Sequence, residues 1–449
     1  MTPRVVALAA VLIGCGGDPP PWDKGLPATA SIYPARRGLR EVRGPIHLHS
    51  PYSWDACDKM PVVDGQPNAT CLEDLRAGLC TTRQDFAMLT DHADLLARSD
   101  WDALFLPGPA DEIVRDGDRH VASWLACPDG TRVLVTVGSE NQLMPLGLAE
   151  HVAATIDERT AILTGGDAAA AAALRAHGAL VAVAHGEGHA LEQLRAVEPD
   201  ALEIYNLHAN LGPDIRAMMG LDPTAPLVAI LPFINGDDAA LEPDLAALAF
   251  LEENAAERAR LDALWGEGRR VVATLGADAH ENVVSLPLRD GERGDGYRRV
   301  LRWFSNHLLV TELGPAGLVE AIRAGRAYGV FEVLGVPVGF DFRAEAGGVV
   351  AELGDTVVSG ATLIVEPPTA RDVDAADVTV RLLRIDGAGS AELARGDGRA
   401  PLRAIADRPG AYRADVRVTP RGLRRFMGSI APALERELVW IDTSPIYVR

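Results

Sequence analysis

Between residues 42 and 280, short apolar runs alternate with stretches of helical spacing. Val42 to Leu48, Asp85 to Thr90, Arg132 to Val137, the segment around His151 and Val152, Ala179 to Ala184, Ala201 to Tyr205 and Val271 to Leu275 form the apolar series. These runs are continuously apolar rather than alternating, which marks strands buried on both faces. Helical spacing predicts helices over Leu72 to Leu79, Ala168 to His177, Ala190 to Val197 and from about Pro243 to Gly266. Strand and helix in alternation predict a parallel sheet covered by helices. Acid or histidine follows nearly every apolar run, and a β/α barrel is the architecture that gathers strand ends into one active rim. An open doubly wound sheet lacks its usual support, because no G-x-G-x-x-G follows a strand and there is no P-loop.

The pattern changes after Asp290. A helix is predicted over residues 314–325. Beyond Gly335 come β-prone runs separated by Gly, Pro and Asp: Val336 to Gly339, Thr362 to Val365, Val378 to Ile385, Tyr412 to Val418, Leu438 to Ile441 and Ser444 to Val448. That spacing predicts a small antiparallel β-sandwich of about one hundred residues. The expected division is therefore 42–330 for the α/β unit and 331–449 for the β domain. The latter carries no ionisable cluster and is expected to be structural or to bind a surface partner.

The amino terminus reads differently again. Arg4 precedes the apolar run Val5 to Ile13, too short to span a bilayer and suited to a signal peptide over residues 1–14. Leu12-Ile13-Gly14-Cys15 resembles a bacterial lipobox, which makes Cys15 the expected lipidated residue. Gly- and Pro-rich sequence then suggests a tether over 15–41. The expected location is outside the cytoplasm, facing the periplasm or exterior, with membrane contact through the lipid anchor only. Without Cys15, the five cysteines reduce to Cys57, Cys71, Cys80 and Cys127, an even set suited to two disulfides whose pairing the sequence leaves open. A formal net charge of -20 argues against a nucleic-acid surface and for a small-molecule substrate. An anionic ester remains compatible, since bound cations reverse the local field.

Collected in order, the strand ends offer His47, His49, Asp55, His92, Glu140, His151, His185, Asp278 and His280. Imidazole and carboxylate together suit Zn2+, Mn2+ or Fe2+, and this many donors exceeds the needs of one ion. Two or three divalent metals bridged by a carboxylate and a hydroxide are the expected count. Asp91 and Asp94, beside His92, are expected either to orient ligands or to cap a helix start. His189 and His208 are candidates for substrate contact or leaving-group protonation, whereas His120, His177 and His307 read as ordinary. No G-x-S-x-G elbow suggests serine chemistry.

His47-Leu48-His49 with Asp55, Thr90-Asp91-His92, Gly138-Ser139-Glu140, Ala184-His185-Gly186 and Ala277-Asp278-Ala279-His280 together resemble the polymerase and histidinol phosphatase (PHP) superfamily over residues 42 to 285. The resemblance implies a distorted seven-stranded β/α barrel with a di- or trinuclear site, and mostly phosphoesterase activity. Exported members with a C-terminal β domain resemble a carbamate and aryl-ester hydrolase branch. It further implies His47, His49 and Asp278 on a first metal, Glu140 bridging, and His92, His280 and Asp55 on a second. His151 and His185 would complete a third site with Glu140. Aspartate at position 55 departs from the histidine often found there. Glu140, Asp278 and His208 are the residues expected to take part in catalysis. A lipid-anchored binding protein with a structural metal site is the alternative from another class.

Overall fold

The computed structural model describes residues 21–235 and 238–449, so the expected signal peptide and Cys15 lie outside it. The chain is a mixed α/β protein built on several sheets. Seven strands organise the first of them: β1 (Ile46–Leu48), β2 (Phe86–Leu89), β3 (Arg132–Val137), β4 (Met144–Leu146), β5 (Leu180–Val183), β6 (Ala201–Asn206) and β7 (Val272–Ala279). Their order is β3-β2-β1-β7-β6-β5-β4, parallel throughout except for β4. Beyond β4 the chain returns to β3. There Val137 and Leu148 form an antiparallel bridge, and the Leu148 and Ser139 amides donate to the Val137 and Pro145 carbonyls. The two ends of the row are thereby neighbours. An unanticipated hairpin, Glu112–Asp116 with Arg119–Ala126, adds antiparallel strands beside β3.

The period of two within each strand sorts its side chains between two cores. Ile46, Phe86, Met88, Leu134, Met144, Leu180, Ala182, Ala201 and Val272 share one buried cluster with Leu308, Val310 and Leu318. Their neighbours Ala87, Leu89, Val135, Val181, Val183, Leu202 and Ala273 face the other way, into the cluster that packs the covering helices. Such strands must be apolar on both sides, hence the continuous runs in the sequence. The helices are marked by their caps: Asn68 accepts from Cys71 ahead of Ala69–Thr81, and Asp167 accepts from Ala170 ahead of Ala168–Ala176.

Four expectations are corrected. The long helix predicted from Pro243 is two elements, a 3-10 helix Pro243–Ala249 and an α-helix Ala255–Gly266. The break lies where Asn254 caps the second by accepting from Glu257. His151 and Val152 lie in a bend, and β4 occupies the expected strand's place. Within the expected tether, residues 21–41 are packed: Leu26 and Tyr33 are buried, Trp22 donates to Asp244, and Thr29 donates to Asp85. Val336 to Gly339 supplies only an isolated bridge between Val338 and Thr369.

The β-rich half also crosses the boundary expected at residue 331. Its larger sheet runs Arg40–Gly44, Ser305–Val310, Ala327–Val330, Leu438–Thr443, Gly410–Val418, Val378–Asp386 and Gly389–Asp397 in antiparallel order, with Ile446–Val448 also on Gly410–Val418 and Thr356–Val357 parallel to Ile446–Val448. Three of these strands precede residue 331. A second sheet joins Val349–Ala351, Asp341–Ala346, Ala361–Glu366 and Leu402–Ala406.

Beneath the joint, His307 is fully buried between two carboxylates, Nδ1 lying 2.8 Å from Glu41 and Nε2 3.1 Å from Glu332. Burial opposes its charge, but Glu332 and Glu41 together raise its pKa. A raised histidine pKa stabilises the fold fully below the unfolded value of about 6.5, and that stability is lost as pH rises through the folded value. The Tm gap between wild type and His307→Gln is therefore expected to be widest near pH 6 and to narrow as pH is raised towards 9. A gap constant across that range in thermal melts would show that the charge contributes nothing.

Candidate metal centre

Backbone irregularity, rather than strand alternation, builds the centre. Ile46 pairs with Met88 and Leu48 with Leu89, so β1 advances two residues while β2 advances one. His47 is the bulged residue, at φ 74°. In β7, Gly276 and Ala279 pair with Ile46 and Leu48, which leaves Asp278 in a second bulge at φ 48°. His185, just past β5, has φ 47°. Left-handed backbone at non-glycine residues costs on the order of 1–3 kcal/mol each and persists only where the surroundings enforce it. His47 and His49 do meet, their Nε2 atoms 3.2 Å apart, but one sits in a bulge and the other lies beyond the strand.

Two groups of donor atoms result. In the first, His47 Nε2 and His49 Nε2 are each 3.3 Å from Asp278 Oδ1, and 3.5 and 3.6 Å from Glu140 Oε2. His185 Nε2 lies 3.3 Å from Glu140 Oε1 and 3.2 Å from Asp278 Oδ2. In the second, Asp55 Oδ2 is 3.4 Å from His92 Nε2 and 3.3 Å from His280 Nε2. Glu140 Oε2 also comes within 3.4 Å of His92, but of Nδ1, the ring nitrogen turned away from Asp55, and the residue common to donor sets of both groups is His49. Metal–ligand bonds of about 2.1 Å place neighbouring donors of a tetrahedron about 3.4 Å apart. The observed spacings match that edge and exceed the usual length of a charge-assisted hydrogen bond, about 2.7–2.9 Å. Sets such as His47, His49 and Glu140, or His49, Asp55 and His92, could each hold an ion.

The supports, by contrast, are ordinary hydrogen bonds. Glu203 Oε1 lies 2.6 Å from His47 Nδ1, and its Oε2 accepts from the His185 amide and from Asn206 Nδ2, which also donates to Asp278. Carboxylate behind imidazole fixes the tautomer so that Nε2 faces the metal position. Ser53 Oγ lies 2.9 Å from His49 Nδ1 and donates to Asp55. The Glu140 and Asp278 carbonyls, each 2.7 Å away, engage Nδ1 of His92 and His280. Glu203 escaped the sequence reading although a lone acid inside the apolar run Ala201 to Tyr205 was its signal. Gly276 makes room for it, since a Cβ there would stand 2.1 Å from Glu203 Oε1.

Other expected residues separate clearly. Asp91 is buried and accepts from the Ser50 amide and hydroxyl, clamping the turn after His49, whereas Asp94 is exposed in the first turn of a short helix. His208 stacks on His280 at 4.2 Å between ring centroids, with Nδ1 3.8 Å from Asp278 Oδ2. His151 is not brought into either group: its Nε2 engages the Ser99 carbonyl and its ring packs edge-on against Trp101. The expected third site therefore loses His151, and His185 instead shares Asp278 with His47. His189 also stands apart from these groups, with Nδ1 buried and unpartnered.

Asp55 is the best secured of the exposed-loop ligands. Disulfides join Cys57 to Cys71 and Cys80 to Cys127, settling the open pairing. The first pins the chain just after Asp55 to the helix Ala69–Thr81, and by loop closure contributes about 3 kcal/mol. The Cys57 amide donates to the His280 carbonyl, and Asn282 donates to that of Asp55.

Electrostatically the centre is a charge-compensated cluster. Despite burial, the charges of His47 and its neighbours hold Asp278 well below the ordinary range and lower Glu140 to about 2. Burial works against the charged form of His92, yet Asp55 and Glu140 raise its pKa to about 9. Burial lowers His208 to about 4, and it also lowers His49. An ion taken up beside a histidine raised in this way would displace its proton.

No family model matches the chain, and no curated protein does. Among solved structures, a two-domain protein from Bacteroides vulgatus, described as containing a predicted PHP-like metal-dependent phosphoesterase, aligns over 92% of this chain and 97% of its own. The identity is 10% and the TM-score 0.33, too distant a likeness to bear on fold or function.

Two substitutions separate the ligands from their supports. Glu203→Gln is expected to keep the metal count and weaken binding by about 10–100-fold, measured by competition with a chromophoric chelator. Asp55→Ala is expected to lower the count by one ion in elemental analysis. An unchanged affinity in the first variant would remove Glu203 from the centre, and an unchanged count in the second would remove Asp55.

Proposed function

We propose that this chain is an exported metal-dependent hydrolase of the PHP type, acting on a small anionic ester, foremost a phosphate ester. In this reading the row of seven strands with joined ends is the distorted barrel, and the two C-terminal sheets form the sandwich that follows it. The observation that carries the reading is the pair of neighbouring donor groups with tetrahedral edge spacing, linked through His49. A purely structural ion needs one closed set of four ligands, and here donors are shared between neighbouring sets.

Bound divalent ions would lower the pKa of a water and stabilise the attacking and leaving oxygens of a displacement. The chain's own residues define where that would occur. His47, Glu140, His185 and Asp278 would hold one position, Asp55, His92 and His280 the other, with His49 shared between them. Glu203, Ser53 and Asn206 keep the donor atoms aimed. The opening runs past His92, His185 and His208, whose side chains are 20%, 31% and 23% exposed against 0% for His47 and His49. His208, beside Asp278 at that opening, is placed to donate an imidazole N–H to the leaving oxygen.

A second reading, a carbamate or aryl-ester hydrolase, is favoured by one observation. Among the described residues no lysine or arginine lies within ion-pair distance of Asp55, Glu140 or Asp278, and Arg260, which reaches the Gly186 carbonyl beside His185, is already paired with Glu257. Metal-loaded protein assayed on p-nitrophenyl phosphate, its bis-ester and p-nitrophenyl acetate distinguishes the two. Turnover of a phosphate ester that falls at least a hundredfold in Glu140→Gln is the expected result. Turnover of the acetate alone would favour the second reading, and turnover of none together with a single bound ion would return the chain to a metal-stabilised binding protein.

A further inference from the structure

A cavity of about 400 Å³ lies away from the metal centre, between the outer side of β6 and the C-terminal strands. Its size falls within the range of small-molecule pockets, roughly 300–1,000 Å³. Ile204, Tyr205, Leu221, Phe331, Leu438 and Val439 give it mainly apolar walls. Glu203 and Asn206 of the same strand serve the metal ligands, so β6 separates the two sites.

Most charged groups around this cavity are paired. Arg258 pairs with Asp442, Glu252 with Arg216, and Glu253 with Arg417, while Glu437, exposed at the rim, accepts from the Thr379 hydroxyl. Arg436 is different: among the described residues it meets no carboxylate within ion-pair distance, and its guanidinium donates only to the Leu251 carbonyl at 3.3 Å. Burial pushes its pKa down despite the opposing pull of Glu252, which lies near it but beyond ion-pair distance and is itself paired with Arg216. A half-buried, unpaired guanidinium facing apolar walls is a costly arrangement that an entering anion would relieve.

We propose that this cavity is a binding site for an apolar monocarboxylate, its carboxylate on Arg436 and its hydrocarbon or aryl body against Tyr205, Phe331 and Leu438. The guanidinium fork suits two carboxylate oxygens at once, and the apolar walls suit a hydrocarbon or aryl body.

Calorimetric titration of the full chain with octanoate, 4-phenylbutyrate and the neutral octanamide tests the assignment. The carboxylates are expected to bind at least tenfold more tightly than the amide, and Arg436→Met to abolish that difference. The two carboxylates distinguish an aliphatic from an aromatic occupant. Carboxylate bound to metal would bind Arg436→Met unchanged, and that result overturns the site. Equal binding of octanoate and octanamide, or binding of neither carboxylate, also overturns it. Should Arg436→Met fail to fold, Leu221→Trp fills the cavity and keeps the cation. It is expected to lose carboxylate binding, and retained affinity would refute the proposal.

Discussion

Everything at the centre rests on one buried carboxylate beneath it. Glu203 touches no metal position, yet it holds the imidazole of His47, accepts from the amide of His185, and shares Asn206 with Asp278. Three strand ends are therefore registered against one side chain. A buried carboxylate is tolerable only when fully hydrogen-bonded. Its partners here are the groups whose positions matter most. The space it occupies exists because β7 carries glycine at 276, so a residue with no side chain sets the geometry of the ligands on either side.

Strain and stabilisation are distributed accordingly. The irregular residues His47, His185 and Asp278 are all proposed ligands, while the strands below them are largely apolar on both faces and regular apart from a register shift between Glu203 and Tyr205. The regular part supplies cohesion, and the bulges redirect side chains that a uniform strand would point elsewhere. In the other half of the molecule, the larger antiparallel sheet takes strands from before and after residue 331. Its first strand, Arg40–Gly44, leads into β1 through Pro45, so the β-rich half is continuous with the strand that carries the first histidine.

Much of this was legible in the sequence, for identifiable reasons. Continuous apolar runs ending in acid or histidine located six of the seven strands, because burial on both faces leaves a strong local mark. The fourth strand was misplaced at His151 because Met144–Leu146 is short and its neighbours carry no such mark. The ligand set emerged from strand ends in order, but the reason for meeting did not: no local pattern marks the bulge at His47, which arises from pairing with β2. Glu203 was overlooked because its partners are separated from it by 156 and 18 positions. The packed segment 21–41 looked like a tether because proline and glycine content reports chain stiffness, not contacts made elsewhere. Disulfide pairing was undecidable in principle, since four cysteines allow three arrangements and only the fold chooses.

The bond between Cys57 and Cys71 divides the centre by how its donors are held. Asp55 stands on a loop fastened by this bond, by the Cys57 amide on the His280 carbonyl and by Asn282 on the Asp55 carbonyl, whereas His47, His49, Glu140, His185 and Asp278 stand in or just past strands of the sheet. Reduction of the bond would remove one of the ties on Asp55 and none of those on the first set of donors, so a change in redox conditions would reach the centre through its second half.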